Sequence, residues 1–295
     1  MNAAKTHKVD LFRIKVQIQK SLISPLLANA TPPELIRKFI NKKPAHEVRK
    51  GQKWHVGNVK DAEDNMLYFF AFGKTSRATI ESFDSESKNF KQDEYPNAPY
   101  TQCYIRLDKQ VLGIAEKTAL PRTTNIAGYL QTVLNKESFE TYHDDVRFVI
   151  SPILDPQSFI ELIHKAHTVI NFTVEIGYPN ILDVDRDVHR PMEELIRESD
   201  GGRDAKVSLV APRGGNIKNR SLLEKLTRSV TAVGRPVRIR AQEKETSAPI
   251  TRNTRDQKLA SISVNDENMD NISHVGSAIE QRYGEIRHGE GRGGE

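Results

Sequence analysis

Residues 66–74 read Met-Leu-Tyr-Phe-Phe-Ala-Phe-Gly-Lys. Leu67, Tyr68, Phe69, Phe70 and Phe72 follow the turn chemistry of Asp61–Asn65, and a short aromatic run bounded by such a turn reads as a β-strand. Working outward, Trp54–Val59 on one side and Tyr100–Leu107 and Gln110–Lys117 on the other have the same character, the last two joined by a tight turn near Asp108-Lys109. Further out, Val9, Leu11, Ile14, Val16 and Ile18 give Val9–Gln19 the alternation of a long first strand. Thr79–Glu94 is a polar excursion. Two helices interrupt the strands. Thr31-Pro-Pro-Glu34 has an N-cap Thr, Pro in the first positions and Glu three residues on, opening a helix over Glu34–Asn41. Ile126, Tyr129, Leu130 and Val133 mark a short helix over Thr124–Leu134. Residues 1–143 are therefore expected to form an antiparallel β-meander with helices.

From Val146 the rhythm changes. Strand-like runs at Val146–Leu154, Thr168–Gly177, Ala205–Ala211 and Arg235–Gln242 alternate with helical ones at Gln157–Lys165, Arg190–Ser199 and Ile217–Val230. Such alternation predicts a ferredoxin-like α/β sandwich over residues 144–245. Residues 246–295 read as a polar segment with one short helix near Ala278–Ile286. The fold class is α+β.

Of the 295 residues, 37 % are hydrophobic and 28 % charged. The single cysteine, Cys103, permits no disulfide within the chain, and its place in a strand-like run marks a buried thiol rather than a nucleophile. The first ten residues have no apolar run of the signal-peptide kind, and no stretch approaches the roughly 20 apolar residues of a membrane helix. A cytoplasmic protein is expected.

Charge is distributed unevenly. Residues 1–60 carry 13 Lys/Arg against 3 Asp/Glu, a net +10; residues 61–202 carry 14 against 24, a net −10; residues 203–258 carry 14 against 5, a net +9. Local cation density governs phosphate binding more than total charge does. The candidate nucleic-acid ligands are accordingly Arg213, Lys218, Arg220, Lys225, Arg228, Arg235, Arg238 and Arg240, with a second block at Lys42, Lys43, Arg49 and Lys50. Arg213-Gly-Gly215 before a helix suggests close backbone approach to an anion at a helix N-terminus. Lys218, Lys225 and Arg228 have the spacing of one helix side, and Arg238 and Arg240 share one face of a strand. With no recognition-helix pattern, zinc spacing or stacking aromatics, readout would be largely sequence-independent. The first block completes that surface or pairs with the acidic middle of a partner subunit. A solvated helix and a charged edge strand would show the same pattern.

Chemistry finds less support. Asp183, Asp185, Asp187 and Glu194 have calcium-loop spacing, but Val188 stands where glycine is required. His143-Asp-Asp145 has no second metal-ligand set. Arg282 to His288 fits a loose ribonuclease spacing that needs a helical bundle, and Gly284 weakens a helix there. No phosphate-binding loop, dinucleotide fingerprint or nucleophile elbow is present. No catalytic residue, metal or cofactor is expected.

Four passages resemble the RexA-type phage exclusion proteins and bacterial relatives from antiviral gene neighbourhoods: Leu67–Thr75; Gly113-Ile-Ala-Glu-Lys-Thr118 with Pro121-Arg-Thr-Thr124; Ile150-Ser-Pro-Ile-Leu154 followed by a helix, the strand Thr168–Ile176 and Tyr178-Pro179; and Val207-Ser-Leu-Val210 followed by a basic helix and Val237-Arg-Ile-Arg240. The resemblance implies a homodimeric double-stranded DNA-binding protein in abortive defence against phage, without cofactor and open to a partner protein from the same operon. A nuclease effector and a non-catalytic interaction subunit are the alternative functions.

Overall fold

The computed structural model describes residues 6–18, 27, 30–62, 66–177 and 204–289. It is α+β, and every strand pairing among the described residues is antiparallel.

The first sheet has eight strands. Along its main path these are β14 (Ser261–Asn265), β1 (Thr6–Ile18), β8 (Val111–Ala115), β7 (Tyr100–Arg106), β4 (Leu67–Lys74), β3 (Gln52–Asp61) and β2 (Ala45–Arg49). The eighth, β9 (Val146–Pro152), continues the β14 edge. β14 takes Thr6–Asp10 of β1 and β9 takes Phe12–Ile18, while the Leu11 amide between them donates to the Ala260 carbonyl at 2.8 Å.

Both faces of this sheet are covered, which is why its inner strands are apolar throughout: β8 is buried at every position and β4 from Leu67 to Gly73. Over one face lie α1 (Pro32–Asn41) and α2 (Thr123–Tyr142), burying Phe12, Ile14, Phe70, Phe72 and Trp54 against Phe39, Ile126 and Leu130. The α1 start is as the sequence predicts, with the Glu34 carboxylate accepting the Thr31 amide at 2.9 Å. α2 is nearly twice its expected length. Over the other face lies α5 (Ile272–His288), whose Val275, Ile279 and Tyr283 meet Val9, Leu11, Phe69 and Tyr104. Gly276 sits against Leu67, and a methyl there would fall well inside van der Waals contact of the leucine. The C-terminal part therefore holds a 17-residue helix and β14, both integral to the first core.

The second sheet has four strands, in the order β11 (Asp204–Val210), β10 (Thr168–Gly177), β12 (Val237–Gln242), β13 (Ile250–Asn253). Helices α3 (Gln157–Lys165) and α4 (Arg220–Ala232) cover one face, packing Phe159, Ile163, Leu223 and Val230 on Phe172, Val174, Val237 and Ile239. A ferredoxin-like order would place the strand preceding α3 in this sheet. That strand, β9, instead joins β1 of the first sheet, because Phe148 and Val146 are needed in the core beneath α2. β13, unforeseen in the sequence, supplies the fourth strand. The expected helix Arg190–Ser199 and the Asp183–Glu194 loop lie outside the described residues.

β5 (Ser76–Asp84) and β6 (Asn89–Asn97) form a two-stranded sheet of their own, in place of the expected polar excursion. No helix among the described residues is long and apolar enough to cross a membrane.

Candidate nucleic-acid interface

The second sheet presents one face to its helices and the other away from them. Residues paired across antiparallel strands share a face, so the register fixes its membership. Asn171 pairs with Val210 and Arg240, Thr173 with Ser208 and Arg238, and Glu175 with Lys206; Arg238 and Arg240 in turn pair with Asn253 and Thr251. The face turned from α3 and α4 thus carries, among the described residues, Lys206, Arg238 and Arg240 as its cations, set among polar side chains and the exposed Val210. All three are exposed, and none has an acidic partner among the described residues. Glu175, opposite Lys206 on this face, lies at 3.5 Å from Arg255. Within the face the Thr173 and Ser208 hydroxyls are 2.9 Å apart, and Thr173 donates to the Asn171 amide oxygen at 2.9 Å.

Arg238 and Arg240 therefore stand together as the alternation predicts. Of the other expected cations, Lys218, Arg220, Lys225, Arg228 and Arg235 do not join them on one surface. α4 lies on the opposite face of the sheet, so Lys225, exposed on that helix, points away from the arginine pair. Lys218 is exposed but precedes the helix, which begins after Asn219 rather than at Ile217. The expected alignment of Lys218, Lys225 and Arg228 along one solvent side fails for a second reason. Arg228 turns inward, pairs with Glu224 at 2.9 Å and donates to the Glu285 and Ile286 carbonyls at 3.3 and 3.4 Å, capping the end of α5.

Arg220 is likewise structural, donating to the Ala166 carbonyl at 3.3 Å and the Asn216 side chain at 3.0 Å, which ties α4 to the end of α3. Burial lowers its guanidinium below the usual arginine range. Arg235 is half-buried in the turn after α4, its amide donating to the Val230 carbonyl at 3.0 Å. Arg213 is exposed in a tight turn, where Gly214 has φ +69° and the Gly215 amide donates to the Pro212 carbonyl at 2.8 Å. This turn does not form an anion site at the helix start. The α4 N-terminus is capped internally by Asn219, whose side chain accepts the Leu222 amide at 3.0 Å.

The first basic block belongs to the other sheet. Lys43 is exposed just after α1, and Arg49 and Lys50 are exposed at the β2–β3 turn, Arg49 lying over the Tyr129 ring at 5.3 Å. Lys42 is engaged, its ammonium 3.0 Å from Glu137 and 2.7 Å from the Thr141 hydroxyl.

Sequence reading overlooked Lys206, although Lys206, Ser208 and Val210 alternate with Val207 and Leu209 as plainly as Arg238 and Arg240 do with Val237 and Ile239. It also overlooked His46, Glu137 and Glu140, of which one donor atom each lies within 4.8 Å of the others, close enough to hold an ion. The His46 Nε2 faces Glu137 at 3.0 Å while its Nδ1 faces Glu140 at 3.8 Å, so the two carboxylates flank opposite ring nitrogens, and Lys42 already neutralises Glu137. Burial alone would raise the Glu137 pKa, but the hydrogen bonds from Lys42 and His46 outweigh it and hold the carboxyl below its ordinary value. Arg282 is bound by Asp155 at 2.6 Å and Glu285 at 2.9 Å on a helix that lies against a sheet, not in a bundle.

No protein-family model and no curated protein matches the chain.

Proposed function

We propose that this protein binds double-stranded DNA through its phosphate backbone, without reading sequence, and that it acts in cytoplasmic defence against phage. The observation that carries the binding reading is the pair Arg238 and Arg240, set two residues apart on the sheet face turned from α3 and α4, with Lys206 two strands away and Asn171, Thr173 and Glu175 on the strand between. Alternate strand residues are about 6.6 Å apart, so the pair presents two guanidinium groups to successive phosphates while Asn and Thr side chains fill in as uncharged donors. The resemblance of four sequence passages to RexA-type exclusion proteins supports the defence role.

Neutralising about three phosphates predicts a log–log salt slope of about −3 per bound chain, equal for unrelated duplexes. The R238E/R240E variant, changed at two exposed positions, should keep the wild-type melting curve and lose duplex retention, with its salt slope reduced by about 2. Fluorescence anisotropy on two duplexes of unrelated sequence across a salt series measures all three quantities. Absence of binding at low salt, or an R238E/R240E variant that binds as wild type, would refute the proposal.

A further inference from the structure

Among the described residues, β5 and β6 pair as strands only with each other. The chain leaves the first sheet at Lys74 and returns at Pro99, where the Lys74 amide donates to the Pro99 carbonyl at 3.1 Å. Between these points nine residue pairs run from Ser76↔Asn97 to Asp84↔Asn89. At about 3.3 Å per residue the ribbon is about 30 Å long. The Asp84 carboxylate closes its tip, accepting the Glu86 amide at 3.0 Å and the Ser87 hydroxyl at 2.8 Å and pairing with Lys91.

Isolated two-stranded ribbons are marginally stable in water, yet this one exposes its large apolar side chains. Phe90 is 82 % exposed, Phe83 55 %, Ile80 52 % and Tyr95 49 %. Phe83 and Phe90 form a cross-strand pair at 5.3 Å near the tip, and Ile80 and Tyr95 are diagonal neighbours on the opposite face. Each face of the ribbon therefore shows water an apolar pair, of the kind that marks an interaction site.

Charge selects the occupant. Arg77, Lys88 and Lys91 stand against Glu81, Asp84, Glu86, Asp93 and Glu94, so the ribbon is net −2 and is repelled by nucleic acid. Its complement is on this same chain: residues 43–53 hold Lys43, Arg49, Lys50 and Lys53 with the single acid Glu47. The two features share one end of the first sheet, since the Thr75 amide at the ribbon's root donates to the Lys53 carbonyl at 3.2 Å. A two-fold axis at that end would lay each ribbon across the partner's β2–β3 turn, as an isologous interface requires. Area agrees. One ribbon face covers about 300 Å², so a single docked arm buries about 600 Å² in total, too little for a specific complex; two reciprocal arms bury about 1,200 Å², the lower bound of stable interfaces.

We propose that the β5–β6 ribbon is an arm exchanged between two copies of this chain, its acidic, aromatic surface gripping the basic β2–β3 turn of the partner. This is independent of the sheet face assigned to DNA. Sedimentation equilibrium of the full chain tests it alongside three variants. In the first, Thr75–Ala98 is replaced by Asn-Gly, which closes the β4–β7 hairpin where Gly73 and Tyr100 are already paired. The second is F83S/F90S and the third K50E/K53E, each confined to exposed positions. The full chain should be dimeric at micromolar concentration and the armless variant monomeric. F83S/F90S and K50E/K53E should each raise the dimer dissociation constant at least about tenfold with an unchanged melting curve. A full chain that stays monomeric into the millimolar range would overturn the proposal. So would an armless variant as dimeric as wild type, or, should that variant not fold, an F83S/F90S protein with the wild-type dissociation constant.

Discussion

Gly276 and Gly284 lie on the same helix, α5, and differ in what an added methyl would meet. At Gly284 there is open space, whereas at Gly276 the methyl would overlap Leu67, a 2 % exposed residue of β4. Gly→Ala in a helix interior is worth about 1 kcal/mol through propensity. G284A should therefore stabilise the protein by about 0.5–1 kcal/mol. At Gly276 the same gain is set against overpacking, which costs about 1–3 kcal/mol. G276A should be neutral to destabilising by about 2 kcal/mol, and the two variants should differ by about 1–3 kcal/mol. With a urea m-value near the upper end of the ordinary range, about 3 kcal/mol/M, that difference separates the midpoints by roughly 0.3–1 M. Urea unfolding followed by far-UV circular dichroism reads it directly. Pairing each change with L67A sharpens the test: G276A should lose less in the L67A background than in wild type, with a coupling energy of about 1 kcal/mol, whereas G284A and L67A should add. Equal midpoints for G276A and G284A would show that α5 does not lie on β4, and the second cover of the first sheet would fall with it.

Glu224 accepts from His164 at 2.7 Å and Arg228 at 2.9 Å, and these bonds outweigh the opposing effect of burial to hold its pKa below the ordinary 4.5. A depressed carboxyl stabilises the fold above its unfolded pKa and ceases to do so as pH falls through the folded one. E224Q should therefore melt lower than wild type at pH 7, and thermal scans should show the gap closing below pH 4.5. Burial pushes the Cys103 thiol far above the ordinary range, so a thiol reagent should leave the native protein unmodified and label one site per chain after denaturation.

The parts of the fold that could be read in sequence were those whose residues are chosen by burial on a regular period. β4 and β8 are apolar because both faces are covered, and β12 alternates because one face is. The β5–β6 arm has no such imprint: its strands are held by cross-strand partners such as Arg77–Glu94 at 2.9 Å and Gln92–Glu81 at 3.0 Å, and polar pairs look like loop in a single sequence. β14 was lost among serines, Ser261-Ile-Ser-Val264, although its Ile262 and Val264 enter the core. For the basic surface, local alternation found Arg238 and Arg240, but helical spacing could not distinguish an arginine facing solvent from Arg228, whose position is set by helix carbonyls 57 and 58 residues away.

The shared edge of β1 also constrains how the chain comes together. Thr6–Asp10 waits for Ser261–Asn265 and Phe12–Ile18 for Val146–Pro152, so one of the earliest strands to be synthesised is completed by one of the last. Pairings this distant give a high contact order and slow folding. Until ribosomal synthesis passes residue 265, Val9 and Leu11 remain without their full cover, and this nascent strand edge is where chaperone dependence and misassembly should concentrate.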